Sequence, residues 1–175
     1  MSNCDAAGQM RLLTCHVITL SDRAAAGRYA DRSGPRVREL LEAFFTGCSI
    51  RPTITSRLLP DDAEQLRREI LLAKESGIDV LITTGGTGVG PRDITPETVE
   101  PLCDKLIPGI MEQIRMTCGR QNPRARLSRS IAGICGKMQI YTLPGSVRAV
   151  EEYMPTILET VEHLVDMLHE RDVHG

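Results

Sequence analysis

The stretch from Thr83 to Glu97 constrains this chain more than any other, reading Thr-Thr-Gly-Gly-Thr-Gly-Val-Gly-Pro-Arg-Asp-Ile-Thr-Pro-Glu. The run before it, Ile78-Asp79-Val80-Leu81-Ile82, reads as a buried strand of a parallel sheet. At its far end Thr95 suits the N-cap of a new helix and Pro96 the first turn. Four glycines, at 85, 86, 88 and 90, lie between. Without Cβ atoms they let the chain turn sharply and let a ligand come close to the backbone. A strand, a glycine turn and a helix N-terminus aim several N–H groups one way, which makes a cradle for phosphate.

Two familiar phosphate loops are excluded by spacing. A Walker loop needs Gly-Lys-[Ser/Thr] after its variable residues, but Gly90 is followed by Pro91 and Arg92. A dinucleotide fingerprint needs G-x-G-x-x-G, whereas Gly86 to Gly90 reads G-x-G-x-G. A tight strand-to-helix turn with no ligand explains the glycines equally well. Arg92-Asp93 favours the cradle, since a carboxylate beside bound phosphate makes sense with a divalent cation between them.

Composition narrows the class. A chain of 175 residues, 41% hydrophobic and 25% charged, is long enough for one full core in a soluble globular fold. Residues 1–10 show no periodicity and read as a mobile tail, leaving 11–175 as one domain. No apolar run reaches membrane-spanning length and no signal-peptide core is present, so a cytoplasmic location without membrane contact is expected. Six cysteines show no C-x-x-C pair, and most read as reduced thiols. The absence of tryptophan, with three tyrosines and two phenylalanines, argues against a stacking platform for nucleic acid. From Gln113 to Val150 there are seven basic residues and no acidic one, which favours an anionic ligand. For any single arginine, a solvated surface pair is the simpler explanation.

In chain order, Leu12 to Leu20 reads as a first buried strand that ends in Ser21-Asp22-Arg23 and a small-residue loop. Loops at the C-terminal ends of strands form the ligand crevice of open α/β sheets, so Ser21 and Asp22 are candidates, with local turn bonds as their alternative. Pro35 opens a helix with Val37, Leu40, Leu41, Phe44 and Phe45 on one face, ended by Gly47. Ser49 to Leu59 reads as a strand, and Asp61 with Glu64 can cap a helix reaching about Ser76. After the glycine stretch come a short helix to Cys103, a helix from Pro108-Gly109 with Ile110, Met111 and Ile114 inward, and a break at Asn122-Pro123. Lys137 to Leu143 is a strand closed by Pro144-Gly145-Ser146. Ser146 can cap a long last helix, which Pro155 should kink or restart. This alternation predicts a three-layer α/β sandwich with a mostly parallel central sheet.

The ordered set Ser21-Asp22-Arg23, Arg57-Leu58-Leu59-Pro60-Asp61, Thr83 to Glu97, Leu127-Ser128-Arg129 and Leu143-Pro144-Gly145-Ser146 resembles the molybdopterin adenylyltransferase family of molybdenum-cofactor biosynthesis, which includes the N-terminal domain of gephyrin. The likeness runs from about Leu12 to Leu168. It implies an enzyme that binds molybdopterin, Mg²⁺ and ATP, joins the molybdopterin phosphate to the α-phosphate of ATP and releases pyrophosphate. Such transfer needs positioning and charge neutralisation rather than an activated side-chain nucleophile.

By position, the resemblance implies Asp61 and Asp93 as catalytic carboxylates and metal ligands. It implies Gly85, Gly86, Gly88, Gly145 and Ser146 on the nucleotide, and Thr87, Ser128, Ser21 and Arg129 on molybdopterin. It also implies a homotrimer and a molybdenum-insertion partner protein. Two positions depart from the pattern: Cys118 stands where relatives carry serine, weakening one pterin contact, and Val147 stands where proline is common. A pterin-binding or scaffold member without turnover is the competing reading.

Overall fold

The parallel strands at the centre of the sheet feed two cores, and residue parity decides which. The computed structural model describes residues 11–46, 48 and 50–169. The first half holds β1 (Arg11–Leu20), a single turn α1 (Asp22–Ala25), α2 (Ser33–Phe45), β2 (Ile50–Leu59), α3 (Ala63–Glu75) and β3 (Val80–Thr84). The second half holds α4 (Thr95–Val99), β4 (Lys105–Leu106), α5 (Pro108–Gln121), β5 (Ala132–Cys135), β6 (Met138–Leu143) and α6 (Val147–Leu168). Two 3-10 turns, Glu100–Leu102 and Pro123–Leu127, follow α4 and α5. The tail expected over residues 1–10, the helix stop at Gly47 and the strand start at Ser49 lie outside the described residues.

On one side of the sheet Leu13, Cys15 and Val17 of β1, Val80 and Ile82 of β3, and Tyr141 and Leu143 of β6 pack with α2, α5 and α6. On the other side Ile18, Leu20, Leu81, Met138 and Ile140 pack with Leu66 and Ile70 of α3 and Val99 of α4. Strands buried on both faces read as unbroken apolar runs, which is why β1, β3 and β6 stand out in the sequence. The result is the three-layer α/β sandwich expected.

The sheet order is β2-β1-β3-β6-β5-β4. Neighbours from β2 to β6 pair parallel, and β5 and β4 add an antiparallel margin. The sequence reading did not find that margin. With four and two residues, β5 and β4 are too short to show a period, and Gly136 at φ +66 turns the β5–β6 hairpin. The chain passes from β1 outward to β2, then back across β1 to β3. Strand order therefore reverses at β1 and β3, and a crevice opens at their C-terminal ends.

Helix starts differ from expectation where a nearby carboxylate claims the first N–H groups. Asp31 Oδ1 accepts from the N–H groups of Ser33 and Gly34, so α2 begins two residues before Pro35. The N-cap of α3 is Asp62, whose side chain accepts from Gln65 N–H at 2.8 Å, and Asp61 is not the cap. Thr95 is the first residue of α4 rather than its cap, and its hydroxyl is spent elsewhere. Ser146 does cap α6, accepting from Ala149 N–H at 3.1 Å. That helix runs unbroken through Pro155 for 22 residues. Pro155 and Glu151, one turn earlier, are both exposed, so the carbonyl left without a donor lies on the solvent side. Among the described residues no helix is long and apolar enough to cross a membrane.

Candidate functional site

Four turns meet at the C-terminal ends of the parallel strands, following β1, β2, β3 and β6. The first two are tied together reciprocally. Asp22 N–H donates to Asp61 Oδ2 and Asp61 N–H donates to Asp22 Oδ1, each at 3.0 Å. Arg92, from the glycine stretch, then grips Asp22 with Nε to Oδ2 at 3.0 Å and Nη2 to Oδ1 at 2.8 Å. Those Arg92 bonds, with the Asp61 N–H second, hold the Asp22 carboxyl below the usual carboxylate range, and Asp22 in turn pushes Arg92 up. The pair is exposed, so solvent screening leaves it a small share of stability. Its role is to fix where Asp61 stands.

The glycine stretch needs its glycines for space. Gly85 has φ +113, and a Cβ there would fall 2.2 Å from the carbonyl oxygen of Leu20. Gly86 has φ +64, and its Cβ would fall 2.6 Å from the Thr95 hydroxyl. That hydroxyl donates to Gly85 O at 2.8 Å and Thr95 N–H donates to Gly86 O at 3.0 Å, which folds α4 back onto the turn. Gly85 N–H donates to Leu143 O, and the position of a Gly145 Cβ lies 3.2 Å from Gly85 Cα. The turns after β3 and β6 are thus packed against each other.

Asp93 sits against this backbone. Its Oδ2 accepts from Gly90 N–H at 2.8 Å, while its Oδ1 has no partner among the described residues. Arg129 braces the same loop from outside. Its Nε donates to Gly88 O at 2.6 Å, its Nη2 to Asp93 O at 3.1 Å, and its Nη1 pairs with Glu97, whose carboxyl is held low by that contact. Its backbone N–H donates to Thr87 O. The Thr87 and Ser128 hydroxyls stand 3.5 Å apart, and Ser128 bonds to Ser130 at 2.8 Å.

Two clefts flank the glycine turn and share Gly86, Asp93 and Gly145. The larger, about 570 Å³, is lined by Asp22, Asp31, Asp61, Arg92 and Asp93, with Ser21 and Gly85. The smaller, about 290 Å³, is lined by Thr87, Gly88, Ser128, Ser146, Arg124 and Tyr153, among others. Asp61 and Asp93, from separate turns, therefore face one space. Ser21 lies in the larger cleft, apart from Thr87 and Ser128, and its hydroxyl accepts from Ala24 N–H to cap α1. Arg129 lines neither of these clefts and faces an outer hollow with Val89, Pro91 and Glu97. Of the seven basic residues between Gln113 and Val150, Arg124 and Arg148 line the smaller cleft, while Arg115 donates to Ser130 O. Cys118 packs against the core rather than lining that cleft.

Arg92, Arg124 and Tyr153 line the clefts without having been candidates from the sequence. Arg92 was adjacent to the motif's carboxylate, and Tyr153 follows Ser146 and Ala149 at helical spacing on α6. No spacing rule marks Arg124 beforehand.

Among the described residues, no group of three or more His, Cys, Asp or Glu side chains is arranged to hold a metal. Magnesium commonly takes one or two carboxylates and completes its shell with phosphate oxygens and water. Asp61 and Asp93, each with one oxygen free of protein donors, fit that pattern. Thiolate chemistry is disfavoured at four cysteines: burial pushes Cys15 up to about 12 and Cys103 up to about 11, and raises Cys118 and Cys135 as well.

The family model described as "Probable molybdopterin binding domain" matches residues 16–163. A molybdopterin adenylyltransferase of Helicobacter pylori strain 26695 is 34% identical over 161 residues, covering 91% of this chain and 89% of that protein. Gephyrin of Dictyostelium discoideum is 34% identical over 160 residues, covering 89% of this chain but 22% of that longer protein. The crystal structure of a molybdopterin biosynthesis protein from Mycobacterium abscessus superposes with a TM-score of 0.80 at 32% identity, covering 90% of this chain and 96% of that one.

Proposed function

We infer the activity from one premise: this chain belongs to the molybdopterin-binding domain family of molybdenum-cofactor biosynthesis. The reaction is adenylylation of molybdopterin. An oxygen of the molybdopterin phosphate forms a bond to the α-phosphorus of ATP, the bond from that phosphorus to the oxygen bridging it to the β-phosphorus breaks, and pyrophosphate leaves with the electron pair. The observation that carries this reading is that Asp61 and Asp93 line one cleft beside Gly85 and Gly86.

Asp61 and Asp93 would hold Mg²⁺, which when bound supplies charge neutralisation on the transferring phosphate. Asp22 and Arg92 keep Asp61 in place, and Gly90 N–H orients Asp93. Gly85, Gly86 and Gly145 let the triphosphate lie against the backbone, with Gly88 and Ser146 continuing that wall toward the smaller cleft. Thr87 and Ser128 hydroxyls face the pterin there, and Arg124 offers a guanidinium without an ion-pair partner among the described residues. Ser21 contributes at the edge of the larger cleft, and Arg129 acts by bracing the glycine loop. The attacking phosphate is already an anion, so no side-chain base is required.

The same reading includes a homotrimer, which light scattering would count directly. Activity is tested by anaerobic calorimetry with Mg-ATP and molybdopterin, followed by pyrophosphate release. Pyrophosphate formed only when both substrates are present supports the enzyme. Tight molybdopterin binding without pyrophosphate would instead make the chain a scaffold.

A further inference from the structure

We propose that Tyr29 stacks on the base of the nucleotide in the larger cleft, a role that rests on the assignment of that cleft to Mg-ATP. Among the described residues Tyr29 is the only aromatic side chain lining that cleft. The other aromatics are committed elsewhere: Tyr141, Tyr153 and Phe45 are buried, and Phe44 meets Phe45 edge to face with ring centroids 5.0 Å apart. Tyr29 keeps 47% of its surface open, so a second planar group can reach it.

An isolated exposed tyrosine needs no explanation of its own. This one is held at two points. Its hydroxyl stands 2.9 Å from the Ser21 hydroxyl, and the Arg23 guanidinium lies over its ring, with Cζ 5.2 Å from the centroid. The loop that carries it is tied on both sides. Before it, Gly27 N–H donates to Ala24 O and Arg28 N–H to Arg23 O, each at 2.9 Å. After it, Asp31 accepts from the Thr19 hydroxyl at 2.7 Å and from Ser33 N–H at 3.0 Å. Ser21 and Arg23 flank Asp22, which is bonded to Asp61, so the ring is seated by the same turn that fixes the acids. A ring fixed in advance loses little freedom when a ligand covers it.

The occupant follows from what else shares the cleft. Asp61, Asp93 and Gly85 line it together with Tyr29, and about 570 Å³ leaves room for a base besides the phosphates. Thr87 and Ser128, assigned to the pterin, line the other cleft. A nucleobase presents a flat π face whatever the pattern along its edge, so one aromatic side chain is enough to hold it. Such stacking adds affinity for the base and none for the phosphates.

The test is Tyr29→Ala beside Tyr29→Phe, read by calorimetry with Mg-ATP and with inorganic Mg-tripolyphosphate. In the alanine variant Mg-ATP affinity should fall roughly five- to hundredfold, as for loss of one base–aromatic stack, while tripolyphosphate affinity holds. The phenylalanine variant keeps the ring and should stay within about threefold of wild type for Mg-ATP. Unchanged Mg-ATP affinity in the alanine variant, with wild-type protein binding normally, overturns the role of Tyr29 alone. Equal loss of ATP and tripolyphosphate does so too, since the side chain would then shape the loop rather than meet the base. A phenylalanine variant as weak as the alanine one overturns stacking in favour of the hydroxyl. Wild-type protein that binds neither Mg-ATP nor Mg-tripolyphosphate overturns the cleft assignment and this role with it.

Discussion

The two clefts share three residues but differ in how far their lining is engaged in advance. In the larger one a chain of contacts fixes the acids: Arg92 on Asp22, Asp22 on Asp61, Gly90 N–H on Asp93. In the smaller one Arg148 pairs with Glu152, while Arg124 has no ion-pair partner among the described residues. A network satisfied in advance keeps carboxylates in place for charge chemistry without rearrangement. A cleft with unmet donors is completed by its ligand and discriminates against molecules that leave those donors unmet. One turn of glycines thus separates a cleft of interlocked acids from a cleft with an unengaged guanidinium.

The largest effect is expected from breaking the glycine turn that both clefts flank. Gly85→Ala forces a Cβ to 2.2 Å from Leu20 O at φ +113, so stability should fall by at least about 3 kcal/mol in urea unfolding, and ligand binding should fail at both clefts. Asp93→Asn should act on the chemistry alone. The amide oxygen can still accept from Gly90 N–H, so the melting temperature should hold while pyrophosphate release drops on the order of 10²- to 10³-fold. A rate near wild type in that variant removes Asp93 from the mechanism.

Arg92→Ala separates positioning from chemistry. With Asp22 released, Asp61 loses its fixed place and turnover should fall roughly 10- to 100-fold. The direction of the pH effect follows from Asp22, whose carboxyl Arg92 holds low. In wild type the ion pair persists at neutral pH and is lost only as pH falls through that depressed value. In the variant Asp22 returns toward the ordinary range, so the acid limb of the pH–rate profile should move to higher pH. An unmoved limb would show that Asp22 does not set the position of Asp61.

Cys118→Ser should have the smallest effect. The thiol packs against the core and does not line the smaller cleft, so molybdopterin affinity should change by less than about twofold. A larger gain would place that position in contact with the pterin after all.

Much of this was legible in the chain because the signals are local. Apolar runs marked β1, β3 and β6, the i, i+3, i+4 pattern marked α2, and the glycine spacing marked the turn after β3. The short antiparallel margin was not legible, since four-residue and two-residue strands carry too little pattern. Neighbouring acids misled as well. Asp61 and Asp62 are chemically identical, and only the fold shows that Asp62 caps α3 while Asp61 turns to Asp22. Arg129, which the resemblance implied for pterin contact, is bonded to Gly88, Asp93 and Glu97, contacts no local pattern announces.

The sequence by itself determined the alternation of elements, the glycine turn and the residue types present near it, because backbone preference and hydrophobic period act over a few positions. The tertiary structure decided which carboxylates share a space, which arginines are already engaged and which acid caps which helix. Those facts depend on distances between turns that are far apart along the chain, such as the 39 positions between Asp22 and Asp61. No local rule sets such distances. They follow from the parallel sheet that brings the strand ends to one edge.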